Sequence, residues 1–160
     1  MAGKSHIGRE LSKIMGYSFV DTDDMIIKKE QKEINDIFSA CGEEYFRDVE
    51  KEIVKEASCY EKTVIATGGG VVLNPLNIEN LRKNGVIVNL KITPDVIKKR
   101  IEKEKSKRPL IKDLDVLGVL EKLKSREEYY NNCDYSITVL EDKTPEEHAR
   151  MIIDMIKEVI

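Results

Sequence analysis

Short apolar runs alternate with amphipathic helical stretches along this chain of 160 residues. The runs at 18–20, 63–67, 86–90 and 135–139 have the length of β-strands, and 86–90 is nearly all apolar, as in a strand buried on both faces. Strands that alternate with helices predict a parallel sheet with crossover helices. Because no repeat or Pro/Gly-rich linker interrupts the pattern, we predict one domain, residues 1–160, of the α/β class.

The helix boundaries are marked by capping residues. A proline at the first helical position loses nothing, since its missing N–H would be unpaired there. This signature predicts helix starts at Asn74-Pro75, Thr93-Pro94 and Thr144-Pro145. We also expect a first helix from about Ser5 to Gly16, two or three helices within 24–57, and a last helix that reaches the C-terminus.

The charge and cysteine content exclude several classes of protein. The net charge of -3 and the pI near 5.6 argue against a nucleic-acid binder, which usually has a basic face. There is no bilayer-spanning apolar run and no visible signal peptide. The three cysteines are odd in number and lack zinc-site spacing. We therefore expect a cytoplasmic protein with free thiols that binds neither nucleic acid nor membranes.

Gly3-Lys4-Ser5 opens the first helix and matches the end of the phosphate-loop pattern G-x-x-x-x-G-K-[ST]. In such a loop, backbone N–H groups and the helix N-terminus face phosphate oxygens. Lys4 would reach the β- and γ-phosphates of ATP, and the Ser5 hydroxyl would ligate Mg²⁺. Taken alone, the tripeptide fits an ordinary surface turn better.

Two carboxylates follow the first predicted strand, at Asp21 and Asp23. Ligands of open α/β sheets bind at the carboxyl ends of strands, and side chains two residues apart in an extended segment share a face. Asp23 could orient or deprotonate an attacking hydroxyl, and Asp21 could support a metal ion. The segment is equally compatible with an N-cap cluster formed by Asp23 and Asp24.

Arg47 and Glu50 are i, i+3 neighbours on a predicted helix, so the carboxylate could hold the guanidinium for a bidentate grip on a substrate carboxylate. By themselves they fit a solvated surface pair better. Gly68, Gly69 and Gly70 directly follow a strand, where three glycines favour a close approach of the backbone to a ligand over a simple tight turn.

The charged segment of residues 102–115 is predicted to be a lid, and it contains Arg108. A lid arginine that closes over transferring phosphates would add positive charge and exclude water. Arg126, on a later helix with Tyr130 four positions on, could supply a second grip on a carboxylate. Either arginine could instead be an ordinary surface residue. His6 lies in the first helix near the expected nucleotide, whereas His148 is expected to be solvated.

The motifs Gly-Lys-Ser, Asp-Thr-Asp, Phe-Arg-x-x-Glu, Gly-Gly-Gly, Arg-Pro-Leu and Arg-x-x-x-Tyr occur in this order. This set resembles the shikimate kinase family of phosphate-loop proteins over essentially the whole chain. The resemblance implies a three-layer α/β/α fold with a parallel sheet, a substrate-binding region at about 24–57 and a lid. It implies that ATP phosphorylates the 3-hydroxyl of shikimate, in the pathway to chorismate and the aromatic amino acids.

The resemblance also implies roles for individual residues. The expected nucleotide contacts are Gly3, Lys4, Ser5, His6, Arg100 and Arg108, and the expected Mg²⁺ ligands are Ser5 and Asp21. The expected shikimate contacts are Asp23, Arg47, Gly68, Gly69, Gly70 and Arg126. Lys4, Asp23 and Arg108 are expected to act in catalysis, and the protein is expected to be a monomer.

The chain departs from the family at its front, because the first glycine of the loop and the strand before it would lie upstream of Met1. A sheet with four strands and a vacant inner position would follow, and we expect weak ATP binding by residues 1–160. Two alternatives stay open: a catalytically impaired domain that still binds the acid, and a kinase of another hydroxy acid such as gluconate.

Overall fold

The computed structural model describes residues 3–107 and 116–160, except for the side chains of residues 105–107 and 116. The strands are β1 Ser18–Asp21, β2 Thr63–Ala66, β3 Val88–Lys91 and β4 Tyr135–Thr138. The helices are α1 Lys4–Met15, α2 Thr22–Glu30, α3 Ile34–Ala57, α4 Pro75–Lys83, α5 Pro94–Lys107, α6 Val116–Tyr130 and α7 Pro145–Ile156. A short 3₁₀-helix, Val71–Leu73, precedes α4.

The strands pair in parallel, as the alternation of strands and helices predicts. Phe19 of β1 lies opposite Val64 of β2, and Leu90 of β3 lies opposite Ile137 of β4. In the described residues, β2 and β3 do not pair with each other. A cavity of about 2340 Å³ is lined by both of them. The four described strands therefore form two separate parallel pairs.

Strand β3 differs from its prediction in position and burial. It covers 88–91 instead of 86–90, and none of its residues is fully buried. The apolar composition of the run indicates a strand with both faces covered. The residues of β3 line the open cavity, however, and this leaves their side chains partly accessible.

The main apolar cluster joins both strand pairs through α1 and α7. Ile7 and Leu11 of α1 pack with Ile152 and Ile156 of α7 and with Ile137 of β4. Partly buried residues of β2 and β3 pack against the same cluster. Full burial of one such side chain is worth about 1.5–3 kcal/mol, so this cluster is a main source of stability. Its geometry fixes the start of α1, where Gly-Lys-Ser lies.

The predicted helix ends are largely confirmed. Gly16 ends α1 with φ 67°, a left-handed conformation that glycine adopts without strain. The Thr144 side chain and Glu147 form a reciprocal capping box at the start of α7. Gly42, with φ 84° and ψ 171°, divides α3 into two helical parts, in agreement with two or three helices within 24–57. Helix α7 ends at Ile156, short of the predicted C-terminal end.

The prediction for His148 is wrong, because its side chain is only 2% exposed. Its Nε2 accepts a hydrogen bond of 2.9 Å from the Leu140 N–H, and Nδ1 lies 2.9 Å from the Thr144 carbonyl oxygen. An Nε2 that accepts requires the proton on Nδ1, which then donates to Thr144. His148 therefore ties the start of α7 to the segment after β4.

Part of the predicted lid belongs to a helix. Residues 102–107 are the last residues of α5, and residues 108–115, with Arg108, lie outside the described residues. None of the described helices is both long enough and apolar enough to cross a bilayer.

Candidate active site

Lys4 begins α1 and faces a cluster of charged groups. Its side chain is partly buried, and this burial lowers the pKa of the ammonium group. The carboxylates of Asp23 and Asp21 oppose that shift, whereas the positive charge of Arg126 adds to it. Lys4 of α1 is therefore electrostatically coupled to three other predicted site residues, which come from β1, α2 and α6.

Asp21 connects the start of α1 to the start of α2. Its Oδ2 accepts a hydrogen bond of 2.6 Å from the Ser5 hydroxyl, and its Oδ1 accepts one of 2.9 Å from the Asp23 N–H. The Asp24 N–H also donates to Oδ1, so Asp21 is the N-cap of α2. The alternative in which Asp23 and Asp24 form the N-cap is thus wrong.

The reason given for the pairing of Asp21 and Asp23 also needs correction. The chain leaves the extended conformation at Asp21 and is helical from Thr22, so the alternation of an extended strand does not orient Asp23. The first turn of α2 nevertheless keeps Asp23 close enough to Asp21 for their charges to interact.

The Ser5 hydroxyl and the Asp21 carboxylate suit a magnesium ion. Mg²⁺ prefers oxygen ligands and usually takes only one or two carboxylates from a protein, together with phosphate and water. The described residues contain no group of three or more His, Cys, Asp or Glu that could hold a metal ion. Ser5 and Asp21 could supply one hydroxyl and one carboxylate oxygen to a Mg²⁺ ion that also binds a phosphate.

Asp23 lies between positive and negative groups. Burial is the main cause that raises the pKa of its carboxyl, and the negative charge of Asp21 raises it further. Lys4 and Arg47 oppose the shift. A methyl group built on Gly68 would lie only 2.7 Å from Asp23 Oδ1, so the absence of a side chain at Gly68 makes room for this carboxylate.

Arg47 is held by a buried partner. Its Nη1 donates a hydrogen bond of 2.7 Å to Glu50, whose side chain is 2% exposed, so the two do not form the solvated surface pair. Burial raises the pKa of Glu50, while the bond from Arg47 lowers it. Arg47 also lies 3.6 Å from the exposed carboxylate of Glu43.

The glycine turn, Gly68 to Gly70, is held by side chains from two directions. The Gly68 N–H donates a hydrogen bond of 3.0 Å to the hydroxyl of Thr22, which is fully buried. The Tyr130 hydroxyl donates one of 2.8 Å to the Gly69 carbonyl oxygen. The Arg47 guanidinium occupies the position that a side chain at Gly70 would need. The glycines thus bring the backbone close to the site's own side chains.

Arg126 reaches the same place from α6. A methyl group on Gly69 would lie 3.5 Å from its Nη1 and 3.5 Å from the Tyr130 hydroxyl. The charge of Arg126 acts on Lys4 and on Glu50. The structure therefore brings together Lys4, Ser5, Asp21, Asp23, Arg47, Gly68, Gly69, Gly70 and Arg126.

The remaining predicted residues lie on the nucleotide side or outside the described residues. Arg100 of α5 is near Gly3, since a methyl group there would lie 3.7 Å from Arg100 Nη1. His6 is exposed and lines the same cavity. Arg108 is not among the described residues.

Sequence reasoning missed Thr22 and gave Tyr130 no separate role. Thr22 is the middle residue of Asp-Thr-Asp, and its place between two acids could have indicated a structural hydroxyl. No local pattern indicates that its partner is Gly68, which lies 46 residues further along the chain.

A comparison with protein families matches residues 1–157 to the model described as shikimate kinase. The chain is 44% identical over 151 residues to the shikimate kinase of Caldanaerobacter subterraneus, with 94% of this chain and 88% of that protein covered. It is 39% identical over 159 residues to the shikimate kinase of Nostoc punctiforme, with 99% and 87% covered.

Solved structures give the same result. The shikimate kinase from Acinetobacter baumannii in complex with shikimate has a TM-score of 0.85 and 30% identity, with 98% of this chain and 88% of that chain covered. The shikimate kinase from Aquifex aeolicus has a TM-score of 0.80 and 29% identity, with 98% and 90% covered.

Proposed function

The chain belongs to the shikimate kinase family, and from this premise we infer that it uses ATP to phosphorylate the 3-hydroxyl of shikimate. The products are shikimate 3-phosphate and ADP. The observation that carries the proposal is the convergence of Asp23, Arg47 and Arg126 on one glycine turn, with Lys4 electrostatically coupled to Asp23 and Arg126. A kinase for a hydroxylated acid needs this combination: a cation for phosphates, an acceptor for the hydroxyl and cations for the carboxylate.

We propose that Arg47 and Arg126 bind the carboxylate of shikimate. Both guanidiniums lie at the glycine turn, which they approach from different helices, Arg47 from α3 and Arg126 from α6. A planar guanidinium matches a carboxylate with two parallel hydrogen bonds. The buried Glu50 carboxylate forms an ion pair with the partly exposed Arg47 guanidinium, which orients Arg47 before the substrate binds.

Asp23 is the proposed acceptor of the hydroxyl proton. Its raised pKa makes the carboxylate a better base than an exposed aspartate, and its coupling to Lys4 would put it near the transferring phosphate. As the shikimate oxygen forms its bond to the γ-phosphorus, the bond from that phosphorus to ADP breaks. The hydroxyl proton passes to an Asp23 oxygen, so atoms and charges balance.

The start of α1 is the proposed polyphosphate site. Lys4 offers an ammonium group whose partial burial strengthens its electrostatic effect on a phosphate. Mg²⁺, held by Ser5 and Asp21 with phosphate oxygens, would neutralise negative charge on the transferring group. The Ser5–Asp21 hydrogen bond of 2.6 Å keeps both oxygens near Lys4.

Several further assignments are proposals of the same kind. We propose that Arg100 and His6 lie beside the nucleotide and that Arg108 contacts the transferring phosphates. The three cysteines form no disulfide, which fits the reducing cytoplasm. We also propose that the protein acts as a monomer.

The experiment measures ADP formation by the chain with ATP and Mg²⁺, with shikimate or gluconate at equal concentrations. We expect turnover with shikimate and not with gluconate, and calorimetry should show binding of shikimate alone. Turnover with gluconate and none with shikimate would contradict the proposal. Shikimate binding without any turnover would instead favour the impaired, acid-binding domain.

A further inference from the structure

Tyr130, the last residue of α6, makes a bond that connects two parts of the site. Its hydroxyl donates a hydrogen bond of 2.8 Å to the carbonyl oxygen of Gly69, which lies 61 residues earlier in the chain. Such a bond fixes the end of α6 against the backbone of the glycine turn.

Arg126 lies one helical turn before Tyr130 on α6. Residues four positions apart lie on the same face of a helix, so both side chains point toward the same neighbour. Gly69 is this neighbour, because a methyl group there would lie 3.5 Å from Arg126 Nη1 and 3.5 Å from the Tyr130 hydroxyl. The direction of Arg126 therefore depends on how α6 rests on Gly69.

The packing of α6 makes this bond important for the position of the guanidinium. Among the described elements, α6 packs chiefly against α5 and the 3₁₀-helix that follows the glycine turn. Arg126 and Tyr130 are both only partly buried, so close packing does not lock the arginine side chain. An arginine side chain that is already restricted to the bound orientation loses less conformational entropy when it binds a ligand.

We propose that Tyr130 is a positioning residue for the acid substrate, acting through Gly69 and Arg126. Its hydroxyl keeps α6 at the distance at which Arg126 meets the substrate carboxylate. The inference rests on the proposed function, since it deepens the role of Arg126 in binding shikimate. Tyr130 itself neither touches the phosphates nor transfers a proton.

The test compares Tyr130→Phe with Tyr129→Phe. Each variant removes one phenolic hydroxyl from the last turn of α6, but the Tyr129 side chain is exposed. We expect Tyr130→Phe to weaken shikimate binding in calorimetry roughly three- to tenfold. The KM for ATP and the melting temperature should stay close to those of the parent chain. Tyr129→Phe should bind shikimate as the parent does.

The same substitution in an Arg126→Ala background decides whether Tyr130 acts through Arg126. We expect Tyr130→Phe to weaken binding little further there, because the group that it positions is gone. An equal further loss would overturn the inference, since Tyr130 would then act by another route. Unchanged binding by Tyr130→Phe alone would overturn it too, as would failure of this variant to fold.

The outcome for the parent chain separates this inference from the proposed function. If the parent neither binds shikimate nor forms ADP with it, the proposed function fails, and the inference fails with it. If the parent binds shikimate and Tyr130→Phe binds it equally well, only the inference fails.

Discussion

Glu50 accepts a hydrogen bond of 2.7 Å from Arg47, although the Glu50 side chain is only 2% exposed. The pair places one charged group inside the protein and the other at the glycine turn. A charge-assisted bond from a buried acid restricts the guanidinium more than an exposed pair does.

We expect Glu50→Gln to weaken shikimate binding roughly tenfold, because hydrogen bonds to charged groups are worth about 1.5–3 kcal/mol. Calorimetry with shikimate measures the effect. Glu43→Gln is the control, since Glu43 approaches the same arginine at 3.6 Å but is 68% exposed. Its effect should stay below about threefold. Equal effects of both substitutions would mean that burial of the partner does not matter.

Lys4→Met should separate phosphoryl transfer from acceptor binding. Loss of a cation aimed at the transferring group should reduce kcat by roughly 10²–10³-fold or more. The dissociation constant for shikimate should change little, since Arg47 and Arg126 remain. Lys13→Met, on the exposed side of α1, is the matched control and should retain full activity. A Lys4→Met variant with normal kcat would remove Lys4 from the phosphate site.

Asp23→Asn should reduce turnover roughly 10²–10⁴-fold, the usual contribution of a positioned acid or base. The amide keeps the shape of the side chain but accepts a proton poorly. The control is Asp24→Asn, which changes the next, exposed carboxylate of α2. Steady-state kinetics with both substrates measures the change, and normal turnover by Asp23→Asn would exclude it from the acceptor site.

The raised pKa of Asp23 also predicts a pH dependence of stability. Between the ordinary value of 3.8 and the raised pKa, the folded chain holds more protons at Asp23 than the unfolded chain does. Protonation of Asp23 therefore contributes to the free energy of unfolding at low pH, and this contribution is lost as pH rises through the interval. Asp23→Asn lacks the contribution, so its stability relative to the parent should increase with pH. Denaturant unfolding at several pH values measures this difference, and an opposite trend would contradict the shift.

Substitutions in the glycine turn should differ by position. A methyl group at Gly68 or Gly70 would collide with the ends of the Asp23 and Arg47 side chains, which can move away. Gly68→Ala and Gly70→Ala should therefore weaken shikimate binding roughly tenfold or more, with smaller changes in stability. Gly69→Ala is the comparison within the turn and should have a smaller effect, because its nearest contacts at 3.5 Å are ordinary ones. If all three substitutions weakened shikimate binding equally, displacement of the Asp23 and Arg47 side chains would not be the cause.

His148→Phe should reduce stability without a direct effect on the site. The substitution leaves the Leu140 N–H without its partner and removes the side-chain bond to the Thr144 carbonyl, which keeps its bond from the His148 N–H, at a cost of about 1–3 kcal/mol. Denaturant unfolding measures the loss. Arg150→Ala, on the exposed side of α7, should change stability by less than about 1 kcal/mol. A stable His148→Phe variant would show that these two bonds contribute little.

The features that sequence predicts well are local. Thr144-Pro145 determines where α7 begins through contacts within four residues, and Gly16 ends α1 because of its own backbone conformation. The pairing of Arg47 and Glu50 follows from helical spacing. Local chemistry of this kind is readable without knowledge of the tertiary fold.

Most features that sequence reasoning missed depend on distant residues, and the burial of His148 is the exception. His148 has the same helical face as Ile152 and Ile156, four and eight residues further on, so its burial was readable from spacing. Its bond to Leu140, however, depends on how α7 docks. The burial of β3 could not be predicted from composition, since it depends on the cavity beside that strand.

Helix α1 both begins at the candidate site and packs against both strand pairs. It begins at Lys4 and packs on β1 and β2, while its apolar face joins α7 and the residues of β3 and β4. A ligand that binds the start of this helix acts on an element shared by both strand pairs. Its binding free energy therefore stabilises both strand pairs against unfolding, so the occupied protein should melt at a higher temperature than the free protein.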